Sequence, residues 1–370
     1  MLLFCQAILV VLKQNKSPNA ARMQPMILDY DFTDSQLRES ANLRQHYEAW
    51  RKAKLATMAL NHRLSWEKRG AREYLYKRSG KVGNGTSLGV RSEATEITYA
   101  KHVTDKTSAQ ERLNATFQRL DERARICAAL GLGLFAAPAA KILRAADLDG
   151  VLGSRYMVVG TNAMLAYELE AGHRFAYGLE ATEDFDLAFT AGRTTFVAQH
   201  SQDSSTSLFA LLKRIDSTYT ANTERTFQAL NKDGFEVELL AAPSVISSLA
   251  PDEVLTPISN MPEQEWLLLG TPVFQVACAT DRSPVPIVAP DPRWMGLHKL
   301  WLSKKPERNK LKATKDAKQG NALLSAVRSF MPQYPLNSEF ERGIPPELRP
   351  YYDAWLQTAP AADPATWGNV

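Results

Sequence analysis

Apolar and polar positions change rhythm twice along the chain. From Asp34 to about Trp66, apolar residues recur at helical spacing in a polar-rich stretch, and "SAQERLNATFQRLDERARICAAL" repeats that rhythm with Leu113, Phe117 and Leu120 on one face. Ser108, followed by Glu111 three residues on, has the form of an N-cap with its capping box. Between these helices, "YLYKRSGKVGNGTSLGVRSEATEITY" joins glycines to β-prone flanks and predicts a hairpin or loop near 74–100. From Gly153 the elements shorten. "RYMVVG" reads as a buried strand, "TNAMLAYELEAG" as a helix closing at Gly172, "TEDFDLAF" as a second strand and "STSLFALLKRI" as a helix. "RTFQALNKDGFEVELLAAP" reads as two strands turned through Lys232-Asp233-Gly234, and "TPVFQVACATDRSPVPIVAP" as another hairpin. Helices are expected at "RWMGLHKLWLSKK", at "KATKDAKQGNALLSAVRSF" and, after a Pro-rich stretch, near "PYYDAWLQ".

This order of strands and helices predicts an α+β fold. The expected divisions are a poorly defined start (1–33), a basic and mainly helical module (34–148), a mixed core (149–290) and a helical C-terminal region (291–370). No internal repeat of solenoid period is present. The first residues, "MLLFCQAILVVLKQNK", hold an apolar run of roughly a dozen residues, short of the roughly 20 that a membrane-spanning helix needs. No base precedes it and no small-x-small cleavage pattern follows, so a buried helix or a start at Met23 or Met26 is expected in place of a secretory signal.

Composition changes the picture in one respect. The chain of 370 residues is 45% apolar and 23% charged with a net charge of +4, an ordinary globular balance, but the charges are segregated. Arg44 to Lys81 carries eleven Lys/Arg against three Glu, a net +8, and Lys299 to Lys318 carries eight bases against two acids, a net +6. Val151 to Ala250 holds twelve acids and seven bases, a net −5. An acidic centre between basic segments suits a cation-using site that handles a polyanion; solvated helix faces would give the same count. Three scattered cysteines and six histidines without metal-ligand spacing argue against a disulfide framework or a zinc site, and fit a reducing cytoplasm.

Two motifs compete for the chemistry. Gly85-Thr86-Ser87-Leu88-Gly89 matches G-x-S-x-G, but a nucleophile elbow needs a buried strand before the serine and a helix after it, and "SGKVGN" supplies no such strand. The stronger constellation begins at Gly160-Thr161, where a strand runs straight into a helix and small residues let a phosphate approach the backbone. Asp184 and Asp186 follow, two residues apart and therefore on one face of a strand. Carboxylates so close call for a cation, a shared proton or ample water. Some fifty residues later "FEVELL" places Glu236 and Glu238 on one face, and a third carboxylate completes an oxygen set suited to Mg²⁺.

The order "VVGTNAMLAYE", "ATEDFDLAF", "GFEVELL" resembles the DNA polymerase β-like nucleotidyltransferases, within them the stand-alone bacterial group with abortive-infection and type IV toxin members. Thr161 stands where Gly or Ser is usual, and Glu238 where Asp is commoner. The downstream "HKLWLSKKPERNKLKATKDAKQGNALL" resembles their helical motif, with Lys299, Arg308 and Asp316 as the matching positions. The likeness covers about residues 150–325. It implies a nucleotidyltransferase-type mixed sheet with flanking helices and a metal-dependent transfer of a nucleotidyl group from an NTP to a hydroxyl. It also implies two Mg²⁺ ions on Asp184, Asp186 and Glu238, with Glu238 drawing off the acceptor's proton. Gly160 and Thr161 would take the phosphates, Lys299 the charge of the transferred group, and Arg308 and Asp316 would support the nucleotide.

The expected acceptor is RNA such as a tRNA 3′ end, held through segments 44–81 and 299–318, in a toxin or phage-defence role with an antitoxin partner and no membrane. Arg51, Lys52, Lys54, Arg69, Arg72, Lys77 and Arg78 would touch phosphates, with Trp50, Trp66, Tyr74 and Tyr76 stacking on bases or packing in the core. Transfer to a protein or small-molecule hydroxyl, and a non-catalytic nucleotide- or RNA-binding module, are the alternatives.

Overall fold

A computed structural model of the chain describes residues 30–79, 85–175, 184–191 and 207–358, and for Asp184 the main chain alone. The apolar run before Tyr30, the stretch entering Asp184 and the Asp184 side chain lie outside the described residues.

After a two-residue strand β1 (Tyr30–Asp31), helix α1 (Asp34–Ala59) starts at Thr33, whose hydroxyl accepts from the Gln36 N–H while Gln36 accepts in return from the Thr33 N–H. It ends at Leu60 and does not reach Trp66. "RLSWEKR" alternates with period two and forms β2 (Arg63–Arg69), paired antiparallel with β3 (Arg72–Arg78), which pairs with β4 (Thr86–Val90). A three-stranded sheet thus stands where a hairpin or loop was expected, and it begins at Arg63. Ser87 lies exposed within β4, its hydroxyl accepting from the Gly89 N–H, which is not an elbow.

Helix α2 (Glu93–Ala129) runs for 37 residues, about 55 Å at 1.5 Å per residue. Its cap is Ser92, closed by Thr95, and Ser108 is an exposed interior position. The Ser108–Glu111 pattern misplaced the start because a solvent-facing serine is tolerated inside a helix whose neighbours carry it through.

Next come β5 (Leu134–Phe135), α3 (Ala137–Leu148), β6 (Tyr156–Val158), α4 (Met164–Ala171), β7 (His173–Arg174), β8 (Asp184–Phe189) and α5 (Leu208–Ile215), in which β6, α4, β8 and α5 are the expected strand-helix-strand-helix run and β5, α3 and β7 are additions to it. Then come β9 (Thr220–Ala221), β10 (Gln228–Leu230), β11 (Glu236–Ala241), two 3-10 turns at Pro243–Ser248 and Pro262–Leu268, and the hairpin β12 (Val273–Ala279) and β13 (Pro284–Ala289). Helices α6 (Pro292–Leu302), α7 (Lys310–Phe330), α8 (Ser338–Arg342) and α9 (Arg349–Thr358) close the described chain. The fold is α+β.

The central sheet has the order β6-β8-β11-β10-β9, with β8 and β11 parallel and the other pairs antiparallel. One face carries Phe185, Leu187, Val237 and Leu239, which are buried in the main hydrophobic core with Leu43 and Tyr47 of α1 and Leu120, Ala124 and Cys127 of α2. The two long helices therefore share a core with the sheet. A second cluster, built from Trp294, Leu297, Leu324, Phe340, Tyr352 and Trp355, fastens α8 and α9 to α6 and α7.

Helices α6 and α7 approach closely through Gly296 and Gly320. A Cβ at Gly320 would come within 2.8 Å of the Gly296 carbonyl oxygen and of Leu300 Cγ, and a Cβ at Gly296 within 2.8 Å of Leu324 Cγ. Real Cβ atoms do not approach so near, so only glycine permits this crossing.

Candidate active site

The parallel pairing of β8 and β11 sets Asp184 opposite Glu236 and Asp186 opposite Glu238. Paired residues on neighbouring strands share a face, about 4.8 Å apart. The four acidic positions therefore form a two-by-two block, on the side of the sheet opposite Phe185, Leu187, Val237 and Leu239. Asp186, Glu236 and Glu238 are each half-buried.

On the other flank of β8, the Val159 N–H donates to the Asp186 carbonyl at 3.1 Å. The next residue, Gly160, has φ +66°, and a Cβ there would overlap the Asp186 carboxylate oxygen Oδ2. Glycine is needed twice over here, for the left-handed backbone and for the space that the carboxylate occupies. The turn Thr161–Ala163 then leads into α4.

Glu238 has a partner that the sequence reading passed over. Gln228, only 1% exposed on β10, lies directly across from Glu238 and donates from Nε2 to Glu238 Oε1 at 2.6 Å and to Glu236 Oε2 at 3.3 Å. Its orientation follows from its own neighbour. Asn222 Oδ1 accepts from the N–H groups of Glu224 and Arg225, so Asn222 Nδ2 faces Gln228 Oε1, at 3.1 Å, and leaves the Gln228 amino group toward the glutamates. Counting back through the Asn231–Phe235 turn pairs Leu230 with Glu236 and Gln228 with Glu238, so hairpin arithmetic could have found it.

The downstream residues come together as well. Lys299 of α6, 4% exposed, donates from Nζ to Asp316 Oδ1 at 2.8 Å, and Arg308 grips Asp316 Oδ2 through Nε at 2.8 Å and Nη2 at 2.6 Å. Lys299 is thus a buried, paired lysine and not a solvated one. One turn along α7 from Asp316, about 4.5 Å on the axis, Gln319 Nε2 donates to the Thr161 hydroxyl at 3.4 Å. That contact joins the Lys299–Asp316–Arg308 cluster to the Gly160–Thr161 turn. Beside Lys299, the buried His298 ring has no hydrogen-bond partner among the described residues, and burial with the Lys299 charge pushes it down to about 3, so it stays neutral.

Several expected polyanion contacts are engaged inside the molecule. Arg51 donates to the Asp147 carboxylate at 2.7 Å and to its carbonyl at 3.0 Å, Arg78 pairs with Glu67, and Lys305 bonds Glu263 at 2.6 Å. Tyr76 is buried and Trp50, Trp66 and Tyr74 are half-buried, while Lys52, Arg69, Arg72 and Lys77 remain exposed.

Among the described residues no group of three or more His, Cys, Asp or Glu converges as ready-made metal ligands. The described donors still suit a hard cation. They are carboxylates only, and the buried side chain between Glu236 and Glu238 is a neutral amide that leaves their charge in place.

Residues 137–343, more than half of the chain, match a family model described as Nucleotidyltransferase. The chain belongs to that nucleotidyltransferase family. No curated protein and no solved structure matches it. The matched span of this nucleotidyltransferase begins at the first residue of α3 and ends just after α8, and so contains the whole carboxylate block, the Gly160 turn and the Lys299–Asp316–Arg308 cluster. Nucleotidyl transfer and an NTP substrate follow from the family. No described helix is long and apolar enough to cross a membrane.

Proposed function

We propose that the protein transfers a nucleotidyl group from an NTP to a hydroxyl acceptor at the face carrying Asp184, Asp186 and Glu238, in the manner of the polymerase β-like and abortive-infection enzymes that its motifs resemble. The observation that carries this reading is the parallel register of β8 and β11, which brings residues fifty apart in sequence into one acidic block beside Gly160. Asp184, Asp186 and Glu238 would hold Mg²⁺, two ions in the expected arrangement, which supply neutralisation of the triphosphate and a more acidic acceptor hydroxyl.

The chain's own groups divide the remaining work. The Gly160 backbone admits a phosphate to the Thr161–Ala163 turn, with the Thr161 side chain itself turned to Gln319. Glu238 accepts the acceptor's proton. Lys299 fixes Asp316, and Asp316 fixes Arg308, whose side chain is 30% exposed and is the cation of the cluster best placed for a phosphate oxygen.

RNA, including a tRNA 3′ end, is the first acceptor to test, through exposed Lys52, Arg69, Arg72 and Lys77. The internal pairing of Arg51, Arg78, Lys305 and Arg308 favours a second reading, a protein or small-molecule hydroxyl, because it reduces the free positive surface. Incubation with α-labelled NTPs and Mg²⁺, in the presence of total RNA or lysate protein, separates the two by which fraction takes label. Expression toxicity relieved by Asp184→Ala is the expected companion result for a toxin role, and relief by a co-expressed neighbour would identify an antitoxin. Undiminished transfer by Asp186→Asn would refute the assignment of the site.

A further inference from the structure

We infer that Gln228 is a positioning residue of this site: its buried amide holds the Glu238 carboxylate in place from the neighbouring strand β10. The inference rests on the proposed role of the carboxylates and deepens it.

Three observations support it. Gln228 is 1% exposed, so its polar atoms must be bonded within the protein. Its side-chain contacts are directional, with Nε2 on Glu238 and Glu236 and Oε1 on Asn222, whose own oxygen is held by two backbone N–H groups. The bond to Glu238, at 2.6 Å, is far shorter than that to Glu236, at 3.3 Å, so the amide selects one of two adjacent glutamates. This also supplies a structural reason for Glu238 as the third carboxylate where sequence spacing left Glu236 a rival.

The amide holds one Glu238 oxygen with a neutral donor, so a cation taken up by that carboxylate meets no competing charge from position 228. Such supporting bonds commonly change metal affinity by about 10–100-fold.

The test is Mn²⁺ binding to the full chain, read by calorimetry and by the rise in melting temperature, with labelled-NTP transfer measured beside it. Gln228→Met keeps the volume and removes the donor, and is expected to weaken Mn²⁺ binding about tenfold or more. Asn222→Ala, at a half-buried position, frees the amide to turn and is expected to give a smaller loss in the same direction. Gln228→Lys, which puts a positive charge in the amide's place, is expected to reduce the rise in melting temperature that Mn²⁺ produces. If Gln228→Met and Asn222→Ala both bind Mn²⁺ as the parent does, while Asp186→Asn has lost it, the role of Gln228 is overturned and the carboxylate site stands. If the parent chain itself takes up no Mn²⁺, both readings are overturned.

Discussion

Gly160 and His298 show how single residues answer to their surroundings. At Gly160 the backbone is left-handed and the Asp186 carboxylate occupies the space of a Cβ. Gly160→Ala should therefore cost about 1–3 kcal/mol in a urea melt and reduce labelled-NTP transfer by more than that loss of folded protein explains, because the displaced group is Asp186. His298 is held neutral, pushed down to about 3 by burial and the neighbouring Lys299, whereas in the unfolded chain it titrates near about 6.5. Between those values the unfolded chain binds a proton that the folded chain does not. Stability contributed by the neutral ring is thus whole above about 6.5 and falls toward pH 3, by about 1.4 kcal/mol for each pH unit. His298→Phe should flatten that acid limb relative to the parent in melts taken from pH 7 to 4, and should cost little at pH 7, since the imidazole has no hydrogen-bond partner among the described residues.

Between elements, the crossing of α6 and α7 governs the downstream half of the site. Gly296 and Gly320 let the two backbones touch, and from that contact Lys299 and Asp316 meet at 2.8 Å. Gly320→Ala would normally favour a helix by about 1 kcal/mol. Here its methyl meets the Gly296 carbonyl, which cannot turn aside, and the expected outcome is a net loss of about 1–3 kcal/mol with weakened NTP binding as Asp316 is drawn from Lys299. Asn321→Ala, one residue on and exposed, is the control that should leave both unchanged or slightly improve stability. Periodicity and turn composition locate α6, α7 and the hairpin β10–β11, whereas for the N-terminal pair they carry α1 through Trp66 and start α2 at Ser108. Local patterns of that kind are satisfied by more than one register, and only pairing with β3, or capping at Ser92, removes the ambiguity.

Across the whole molecule, the distribution of charge is less open to a polyanion than counting suggests. Arg51 is a strut between α1 and α3: it bonds Asp147, which is 7% exposed and also accepts from the Tyr47 hydroxyl at 2.7 Å. Burial raises the Asp147 carboxyl and Arg51 opposes that rise. Arg51→Ala strands a buried acid and should lower the urea midpoint by the equivalent of about 3 kcal/mol or more, with any effect on RNA binding following from stability. Arg72→Glu with Lys77→Glu, both exposed on β3, should leave stability nearly unchanged. If RNA is the acceptor, this pair should weaken its retention in gel shifts most at low salt and reduce the salt slope. Equal retention by parent and double variant would remove that sheet from the RNA-binding surface.

What the sequence determined by itself is what depends on neighbours in the chain. The α+β order, the two-residue spacing of Asp184 and Asp186, and the strand-to-helix turn at Gly160 follow from periods of 3.6 and 2 and from local turn chemistry. The tertiary structure alone decided which distant residues meet. The parallel register seats Glu238 beside Asp186, the β10–β11 pairing puts Gln228 against both glutamates, and the glycine crossing buries Lys299 on Asp316. The same long-range packing engages Arg51 with Asp147, 96 residues further along the chain. Charge along a chain can be counted, but whether a charge faces water or a partner depends on contacts that the chain makes only when folded.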